Sequence, residues 1–385
     1  MRIVHVVAGL WKDTGGPAEV IPNLCRAQAE AGAEVILCSI DGENALQVDA
    51  LRDSTVDVHL FPASDNIIRY SAGMRDFLRR HGDFDIVHNH GHWLWPNWAA
   101  AAAARRNSAG LVTTPHGTLV PGMLSRARVK KLAAWTLFDR RIVARADVIH
   151  ALSEAELKGM ACKLHGAARK AVVIPNGVNL PEVSGQNTAK SGGTLLFLSR
   201  VASIKGAIQL LTAWSVLAPD FPDWRLKIVG PIDRELRAEI DRIMGRVERV
   251  ELTGPVYHDD RWAHYQNAAA FVLPTLGEGL PTVLLEAAAY RLPVITTPEA
   301  NFSELSQAGG SVLCAPNPAA IEATLREFFA MSPEQRQSIG ENGANLIRAR
   351  YDWQSIAKNW LSAYESIVRK PVGAASLKNR KVSKQ

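Results

Sequence analysis

The amino-acid sequence predicts an α/β protein with two doubly wound parallel sheets. Short β-branched runs alternate with amphipathic stretches from end to end, which is typical of parallel strands covered by helices. A polar segment at 181–193, rich in small residues, interrupts this alternation, which then starts afresh. The 385 residues are enough for two domains of ordinary size. We therefore expect two similar domains that face a central cleft, with ligands bound there.

The first domain is predicted at 1–180. Short runs of buried-type residues predict its strands, and amphipathic stretches between them predict helices. The predicted strands are 2–8, 35–38, 56–60, 86–88, 111–114, 148–150 and 172–174, and the predicted helices are 18–31, 67–80 and 127–144.

The second domain is predicted at 194–350, after the linker. Asp352 is the predicted N-cap of a last helix at 351–369, and the basic tail at 370–385 is predicted to be disordered. The predicted strands are 195–198, 225–229, 250–252, 270–273, 293–296 and 311–313, and the predicted helices are 207–217, 234–244, 260–267, 282–290 and 332–350.

Composition narrows the class of protein. Hydrophobic residues make up 47% of the chain, which excludes global disorder, and the net charge of +6 suits phosphate-bearing ligands, anionic membranes or nucleic acid without choosing among them. The four cysteines are far apart, which is typical of a reducing compartment. No apolar run reaches the roughly 18 residues of a membrane span, and no signal peptide precedes the first strand. We expect a cytoplasmic protein, soluble or peripheral on the membrane.

The most informative segment is 274–287. A buried-type strand ends at Pro274 and runs into a glycine-rich turn before a helix that opens at about Pro281. Glu278 and Glu286 bracket the start of that helix. The N–H groups of a helix N-terminus attract anions, whereas carboxylates accept hydrogen bonds from hydroxyls. Together these features suit a ligand with both phosphate and polyol groups, as in a nucleotide sugar.

Two cations open the second domain. Arg200 lies at the carboxyl end of its first predicted strand, and Lys205 lies where the next helix begins. An arginine fork and a lysine point charge at this spacing can hold a diphosphate. The alternative is an ordinary pair of surface cations.

His116 and a glycine loop are the matching candidates in the first domain. His116 follows a predicted strand and precedes Gly117, so it would face the cleft, although a lone histidine is more often structural. Gly15 and Gly16 follow the first strand, where glycine would let the backbone approach a phosphate or sugar. Alone, that loop is a weak signal.

Two further patterns resemble metal sites. Asp83 and Asp85 form a DxD pair, but Asp85 begins a strand and so lies at the end away from the cleft. The histidines at 88–92 have no nearby cysteine or carboxylate to complete a zinc site. We expect no metal at either place. His90, His92 and Trp93 are instead predicted to line an acceptor pocket, with a purely structural role as the alternative.

A basic amphipathic stretch runs from Met123 to Arg145. It combines seven cationic side chains with leucine, valine and aromatic residues. Such a face can rest on anionic lipid, and the alternative is a solvated cationic face on a core helix.

Six motifs in order resemble the retaining GT-B glycosyltransferases of glycosyltransferase family 4, with a C-terminal domain of the glycosyl transferases group 1. They are Gly15-Gly16-Pro17, Pro115-His116-Gly117, Pro175-Asn176-Gly177-Val178, Ser199-Arg200 with Lys205-Gly206, Gly254-Pro255-Val256, and the pair Glu278 and Glu286. Each is weak alone, but all six together are specific, and the resemblance spans nearly all of 1–368. It implies GT-B architecture: two Rossmann-like domains facing a cleft, the first binding the acceptor and the second the nucleotide sugar, with the last helix crossing back to the first.

The resemblance also implies a role for each matching residue in the donor site. Arg200 and Lys205 would bind the diphosphate, Glu286 the ribose, and Val256 would lie beside the base. Gly16 would line the diphosphate from the other domain. The family uses no metal and is held to react by front-face substitution with retention.

The remaining matching residues would act at the transferred sugar. His116 would contact it near the reacting carbon. Glu278, with the backbone of Gly279, Leu280, Pro281 and Thr282, would hold the sugar and phosphate. Leu280-Pro281 departs from the frequent Phe-Gly and removes one backbone donor at Pro281.

The sequence therefore predicts a sugar transferase of surface polysaccharide or glycolipid biosynthesis. Alternatives are a GT-B enzyme with a small soluble acceptor, or a non-catalytic nucleotide-sugar-binding protein. A dinucleotide-dependent dehydrogenase is disfavoured because no GxGxxG follows an early strand. A nucleic-acid-binding protein is disfavoured because no recognised module is present.

Overall fold

The structure is a computed structural model that describes residues 1–11, 16–41, 51, 53–65, 67–119, 132–180, 192–256 and 260–368. The chain forms two compact units. One comprises Met1–Ala151, Gly159–Ile174 and the chain from Ala357, and the other comprises Leu152–Lys158 and Pro175–Ile356. Most of the predicted linker, at 181–191, and the predicted tail at 370–385 lie outside the described residues.

The first unit is built on a seven-stranded parallel sheet of order β3-β2-β1-β4-β5-β6-β7. The chain runs from β1 to β3 in one direction and then returns, so that β4 pairs with the other side of β1. Ligands of doubly wound sheets bind at the carboxyl ends of the strands at such a switch point. The strands are β1 (Arg2–Val7), β2 (Glu34–Ile40), β3 (Asp57–Phe61), β4 (Ile86–His90), β5 (Gly110–Thr114), β6 (Val148–Ala151) and β7 (Ala171–Val173).

The second unit contains a six-stranded parallel sheet of order β10-β9-β8-β11-β12-β13. Here the direction reverses between β8 and β11, which pair with each other. The loops that follow these two strands therefore meet at the carboxyl ends of the strands, in the middle of the sheet. The strands are β8 (Gly193–Leu198), β9 (Trp224–Val229), β10 (Val250–Thr253), β11 (Ala270–Leu273), β12 (Val294–Thr296) and β13 (Ser311–Leu313).

Helices cover both sheets. The first described helices along the chain are α1 (Gly16–Glu30), α2 (Ala72–Arg80), α3 (Trp95–Asn107) and α4 (Arg140–Arg145), which follows a π-helical turn at Trp135–Asp139. They are followed by α5 (Glu154–Leu164), α6 (Ala207–Leu217), α7 (Arg237–Met244), α8 (Asp260–Gln266), α9 (Thr282–Ala289), α10 (Ser303–Gln307), α11 (Pro318–Ala330), α12 (Pro333–Arg350) and α13 (Trp353–Val368). As predicted, Asp352 caps the last of these, since its carboxylate accepts from the N–H of Ser355 at 3.0 Å.

Burial of the strands on both faces creates the core of each sheet. Every side chain of β11 is buried, and Phe197 and Phe271 are fully buried. Burying such a side chain contributes about 1.5–3 kcal/mol. The predicted β-branched and aromatic runs are therefore strands because only a doubly covered sheet hides them completely.

One predicted helix begins later than its pattern indicates. Residues 67–71 were expected to be helical, but α2 starts at Ala72 and Ser71 is its N-cap, accepting from Met74 N at 3.3 Å. The carboxylate of Asp65 accepts from the N–H groups of the preceding turn instead, at 2.7–3.1 Å. Side-chain acceptors of this kind compete with the helix for backbone donors.

Candidate functional site

The switch point of the second sheet brings together the two loops that carry most of the predicted donor residues. Arg200 follows β8 and remains largely exposed, with its Nε 3.9 Å from Asp233 Oδ1. A 3₁₀ turn at Ser203–Lys205 then leads into α6. From β11, the chain continues through Pro274 to Glu278. The sequence predicted both loops, and the fold explains why they meet.

Gly206 allows the close approach of these loops. Its φ is +75°, and a Cβ at this position would lie 2.0 Å from the carbonyl oxygen of Pro274. Any larger residue would have to move one loop away from the other. Glycine therefore places Lys205 directly against the loop after β11.

Lys205 and Glu278 form an ion pair through Nζ and Oε1, and both side chains are mostly buried. Thr275 supports the pair, because its Oγ1 lies 3.3 Å from Glu278 Oε1 and donates to the carbonyl of Ile204 at 2.9 Å. The N–H of Leu276 donates to that same carbonyl at 2.7 Å. A cation and a carboxylate are thus held side by side.

Backbone contacts fix the turn that contains Glu278 and Gly279. The N–H of Glu278 donates to Glu299 O at 3.0 Å, and its carbonyl accepts from the Asn301 side chain. The carbonyl of Gly279 accepts from Ser153 Oγ at 3.1 Å. These hydrogen bonds hold the backbone of the turn in place.

The turn then enters α9. Leu280 and Pro281 are buried, Pro281 is the residue before the helix, and Thr282 is the first residue of the helix. Proline supplies no N–H, so the backbone donors at this helix start come from Thr282 onward.

Glu286, one turn into α9, is held by two residues of α8 that the sequence analysis missed. Tyr265 donates its hydroxyl to Glu286 Oε2 at 2.6 Å, and Arg261 approaches Oε1 at 3.4 Å. Glu286 is only 5% exposed. A buried carboxylate with a cation and a hydroxyl donor beside it is fixed in orientation. The signal for these partners was weak, because nothing in the sequence aligns α8 with α9.

Val256 and Gly16 were also predicted at the donor site. Val256 follows β10 and is half-buried against the core of the second unit. Gly16 begins α1, and a Cβ there would meet no atom within 4 Å. Their predicted roles beside the base and the diphosphate stay predictions.

His116 lies just beyond β5, partly exposed, in the left-handed region with φ +52°. Its Nε2 is 3.1 Å from Nδ1 of His90, the last residue of β4. Desolvation lowers the pKa of His116 to about 3. Burial likewise lowers the pKa of His90 well below its usual value. Both imidazoles are therefore neutral at pH 7.

His92 and Trp93 both contact Asp139, which is not among the contacts of His90. The side chains of His92 and Asp139 are fully buried, with His92 Nδ1 3.5 Å from Asp139 Oδ1. The N–H of Trp93 donates to the same carboxylate oxygen at 3.3 Å. Asp139 is the last residue of the π-helical turn at Trp135–Asp139, and this turn positions its carboxylate. The predicted acceptor role of these residues stays a prediction, and His92 has no exposed side-chain surface in this structure.

The two patterns that resemble metal sites make hydrogen bonds within the fold. Asp85 precedes β4 at its amino end and accepts from the backbone N–H of Arg2 at 2.7 Å. His5, His88 and His90 have ring nitrogens within 4.8 Å of one another. Each of those nitrogens already has a hydrogen-bond partner.

The basic stretch 123–145 is described only from Leu132, since 120–131 lie outside the described residues. In the described part, Leu132, Leu137 and Phe138 are exposed, at 61%, 56% and 40%. Arg140, Arg141 and Arg145 are exposed beside them. Within the described residues, no helix combines the length and the apolar character needed to cross a membrane.

Comparison with known proteins identifies the family. The profile described as Glycosyltransferase Family 4 matches residues 14–182, and the profile described as Glycosyl transferases group 1 matches residues 192–330. The chain belongs to glycosyltransferase family 4. The first profile covers β2 to β7 of the first sheet, and the second covers all six strands of the second sheet. The resemblance found in the sequence motifs is confirmed.

Relatives of this glycosyltransferase match it over most of their length. It is 26% identical to D-inositol 3-phosphate glycosyltransferase 1 of Catenulispora acidiphila, with 92% of each chain covered. It is 24% identical to WcaL of Salmonella typhimurium, a glycosyltransferase assigned to colanic acid biosynthesis, over 70% of this chain and 68% of that one.

Solved structures confirm the GT-B fold of the glycosyltransferase. HepE of Anabaena, solved in complex with UDP and glucose, superposes with a TM-score of 0.75 at 15% identity, over 95% of this chain and all of that one. Sucrose-phosphate synthase of Thermosynechococcus elongatus superposes with a TM-score of 0.72 at 17% identity, over 95% of this chain and 98% of that one. At such identities the likeness shows the fold alone.

Proposed function

We propose that this glycosyltransferase moves a sugar from a nucleotide-diphosphate sugar to a saccharide or lipid-linked saccharide, with retention of configuration and without a metal ion. One observation carries the proposal: the switch point of the second sheet places Lys205 in contact with Glu278, beside the loop of Arg200. The cations suit a diphosphate, and the carboxylate suits the hydroxyls of the attached sugar.

The chemistry follows from those charges. When the bond between the sugar and the diphosphate breaks, negative charge develops on the leaving phosphate oxygen. Lys205 and Arg200 would neutralise that charge in a partly buried site, where a fixed cation acts more strongly than in water. This supplies the electrostatic role that a metal ion has in other sugar transferases. Glu286, held by Tyr265 and Arg261, would take the ribose hydroxyls.

Retention by front-face substitution needs no enzyme nucleophile. The described residues that directly follow β4 and β5 are Gly91, His92, Trp93, Pro115, His116 and Gly117, and none of them is a carboxylate. This composition supports the front-face route at the carboxyl ends of those two strands.

Surface polysaccharide or glycolipid biosynthesis in the cytoplasm, at the inner face of the membrane, is the setting we propose. The WcaL relative and the exposed Leu137 and Phe138 beside Arg140 and Arg141 support it. Co-sedimentation with vesicles of anionic and of neutral lipid tests the membrane contact. The double variant Leu137→Glu with Phe138→Glu should no longer bind anionic vesicles. If the wild type and this variant bind the vesicles equally, that part of the proposal is wrong.

A phosphorylated polyol is the second candidate acceptor. The relative that aligns over 92% of both chains is named for D-inositol 3-phosphate, and this observation favours a small soluble acceptor.

The deciding experiment for the proposed function is a transfer assay. UDP-, GDP-, ADP- and dTDP-sugars are offered with oligosaccharide, lipid-linked and inositol phosphate acceptors, with and without EDTA. Release of nucleoside diphosphate and the anomeric configuration of the product by NMR are measured, with Lys205→Ala as the control. An inverted product would exclude retention, EDTA sensitivity would exclude metal independence, and activity retained in Lys205→Ala would exclude this donor site.

A further inference from the structure

Behind His116, side chains from four strands and two helices form one continuous line of hydrogen bonds. The line ends at the backbone carbonyl of Ile174. In order from His116, the members are His90, His5, Gln28, Tyr364, His88, Thr114 and His150. All seven are buried.

The direction of the line is set at its far end. His150 Nε2 is 2.6 Å from the Ile174 carbonyl, which can only accept, so Nε2 carries the proton. The neutral ring must then accept at Nδ1, and Thr114 donates to it at 3.0 Å. The Thr114 oxygen in turn accepts from His88 Nε2 at 2.7 Å.

The middle of the line continues in the same direction. With its proton on Nε2, His88 accepts at Nδ1 from the hydroxyl of Tyr364 at 2.6 Å. The Tyr364 oxygen accepts from the amide Nε2 of Gln28 at 3.2 Å. This leaves the amide oxygen of Gln28 facing His5, where it accepts from Nε2 at 2.8 Å.

The near end then determines the state of His116. His5 accepts at Nδ1 from His90 Nε2 at 2.9 Å, and His90 accepts at Nδ1 from His116 Nε2 at 3.1 Å. The proton of His116 is therefore on Nε2. Its Nδ1 has no hydrogen-bond partner within the described residues, and the residue is partly exposed.

We propose that these seven buried side chains act as a tautomer lock, which keeps His116 neutral with its proton on Nε2 and presents Nδ1 as an acceptor for a sugar hydroxyl. The inference rests on the proposed function, and it assigns the seven as positioning residues. A neutral acceptor suits this place, because glycosyl transfer builds positive charge on the sugar ring and an imidazolium would repel it.

The electrostatics of the line support neutral rings throughout. Burial lowers the pKa of His5 and of His150 to about 4, and lowers that of His88 well below its usual value. Each ring in a fully neutral line has one donor and one acceptor, so every nitrogen between His116 and Ile174 is satisfied. A single added proton would leave two donors facing each other.

The line is built to orient rather than to conduct protons or bind a metal. The amide of Gln28 interrupts proton exchange, and the Ile174 carbonyl cannot release a proton. A metal at His5, His88 and His90 would have to displace hydrogen bonds that these rings already make.

The test compares two variants that each remove two hydrogen bonds of the line. Gln28→Met deletes the acceptor for His5. The two hydrogen bonds that link His5, His90 and His116 can then reverse their direction, which moves the His116 proton to Nδ1. Tyr364→Phe leaves that acceptor in place. The amide should keep its orientation there, since an N–H tolerates an aromatic face better than an oxygen does.

Ring NMR of protein labelled with ¹⁵N-histidine reads the tautomer directly, at pH 7.5. We expect an Nε2-protonated His116 in the wild type and in Tyr364→Phe, a mixture of tautomers in Gln28→Met, and kcat/KM at least tenfold lower in Gln28→Met than in Tyr364→Phe. A wild-type His116 that is cationic or protonated on Nδ1, an unchanged tautomer in Gln28→Met, or stoichiometric zinc in the purified protein would overturn the lock. The NMR result needs no substrate, so a locked tautomer with no transferase activity would count against the proposed function alone.

Discussion

Lys205 and Glu278 neutralise each other across the switch point of the second sheet, with exposed side-chain fractions of only 17% and 14%. The two charges come from different loops, and Gly206 is the residue that lets those loops touch. A donor that takes the cation with its diphosphate and the carboxylate with its sugar would engage both at once. The pair is therefore the centre of the proposed donor site.

Glu278→Gln should separate nucleotide binding from turnover. The amide no longer neutralises Lys205, so we expect the Kd of the nucleoside diphosphate alone to stay the same or to fall. Turnover of the nucleotide sugar should drop more than tenfold, because an amide oxygen accepts hydroxyls less strongly than a carboxylate. Calorimetric titration and a turnover assay measure the two effects. A loss of nucleotide affinity as large as that of Lys205→Ala would contradict the assigned roles.

Tyr265→Phe should weaken the binding of the nucleotide-sugar donor, because it leaves Glu286 less well positioned. The variant removes the 2.6 Å hydrogen bond to Glu286 Oε2 without changing the ring. A lost hydrogen bond to a charged group is worth about 1.5–3 kcal/mol, so we expect the KM of the donor to rise about tenfold or more. Glu286→Gln should reduce turnover more than tenfold. If the donor KM of Tyr265→Phe equals that of the wild type, Tyr265 does not position Glu286 for the ribose.

Gly206→Ala should cost both stability and activity. The added Cβ would lie 2.0 Å from the Pro274 carbonyl and would require a left-handed φ of +75°. We expect a loss of more than about 2 kcal/mol in the free energy of unfolding. Gly166→Ala is the matched control, since its Cβ meets nothing within 4 Å. Urea denaturation compares the two, and equal midpoints would refute the close approach.

Stability should fall as the pH is lowered from 7 towards 4. The folded pKa values of His5 and His150, about 4, lie below the unfolded value near 6.5, so the unfolded state binds more protons in this window. The stabilisation is complete above pH 6.5 and is lost at about 1 kcal/mol per pH unit for each such histidine. Guanidinium midpoints at pH 7.5, 6.5 and 5.5 measure the slope. His150→Gln should flatten it, and the exposed His81→Gln should not; identical slopes in both would contradict the neutral buried rings.

Strand positions were predictable because hydrophobic patterning alone decides them. Each of the predicted strands matches a strand of the structure, since no other arrangement hides such short β-branched runs. Helices were harder to predict from the sequence than strands. The α3 helix, Trp95–Asn107, carries alanine at buried and exposed positions alike, so its pattern has little amphipathic contrast. The turn after Asp65 shows the opposite error, because a helix was predicted there. The Asp65 carboxylate instead accepts from the backbone N–H groups of that turn.

The positions of Arg200, Lys205 and Glu278 in the fold could be predicted because they occupy loops at strand ends, where sequence order maps onto position in the sheet. Their supports could not. Tyr265 reaches Glu286 from a neighbouring helix, and Gln28 meets Tyr364 across 336 positions of sequence. The alternating histidines of β4 were visible in the sequence, but their partners depend on the register of β1 against β4, which pairs His5 with His88.

The measurement that tests the donor site most directly is a thermal-shift panel with UDP, GDP, ADP, dTDP and CMP, with and without EDTA. A ligand of the native state adds about 2.7 kcal/mol of stability at a hundredfold excess over its Kd. We predict that one nucleoside diphosphate raises the midpoint, that EDTA leaves the shift unchanged, and that Lys205→Ala abolishes it. If no nucleotide shifts the wild type, or if Lys205→Ala responds like the wild type, then Lys205 and Glu278 do not form a donor site.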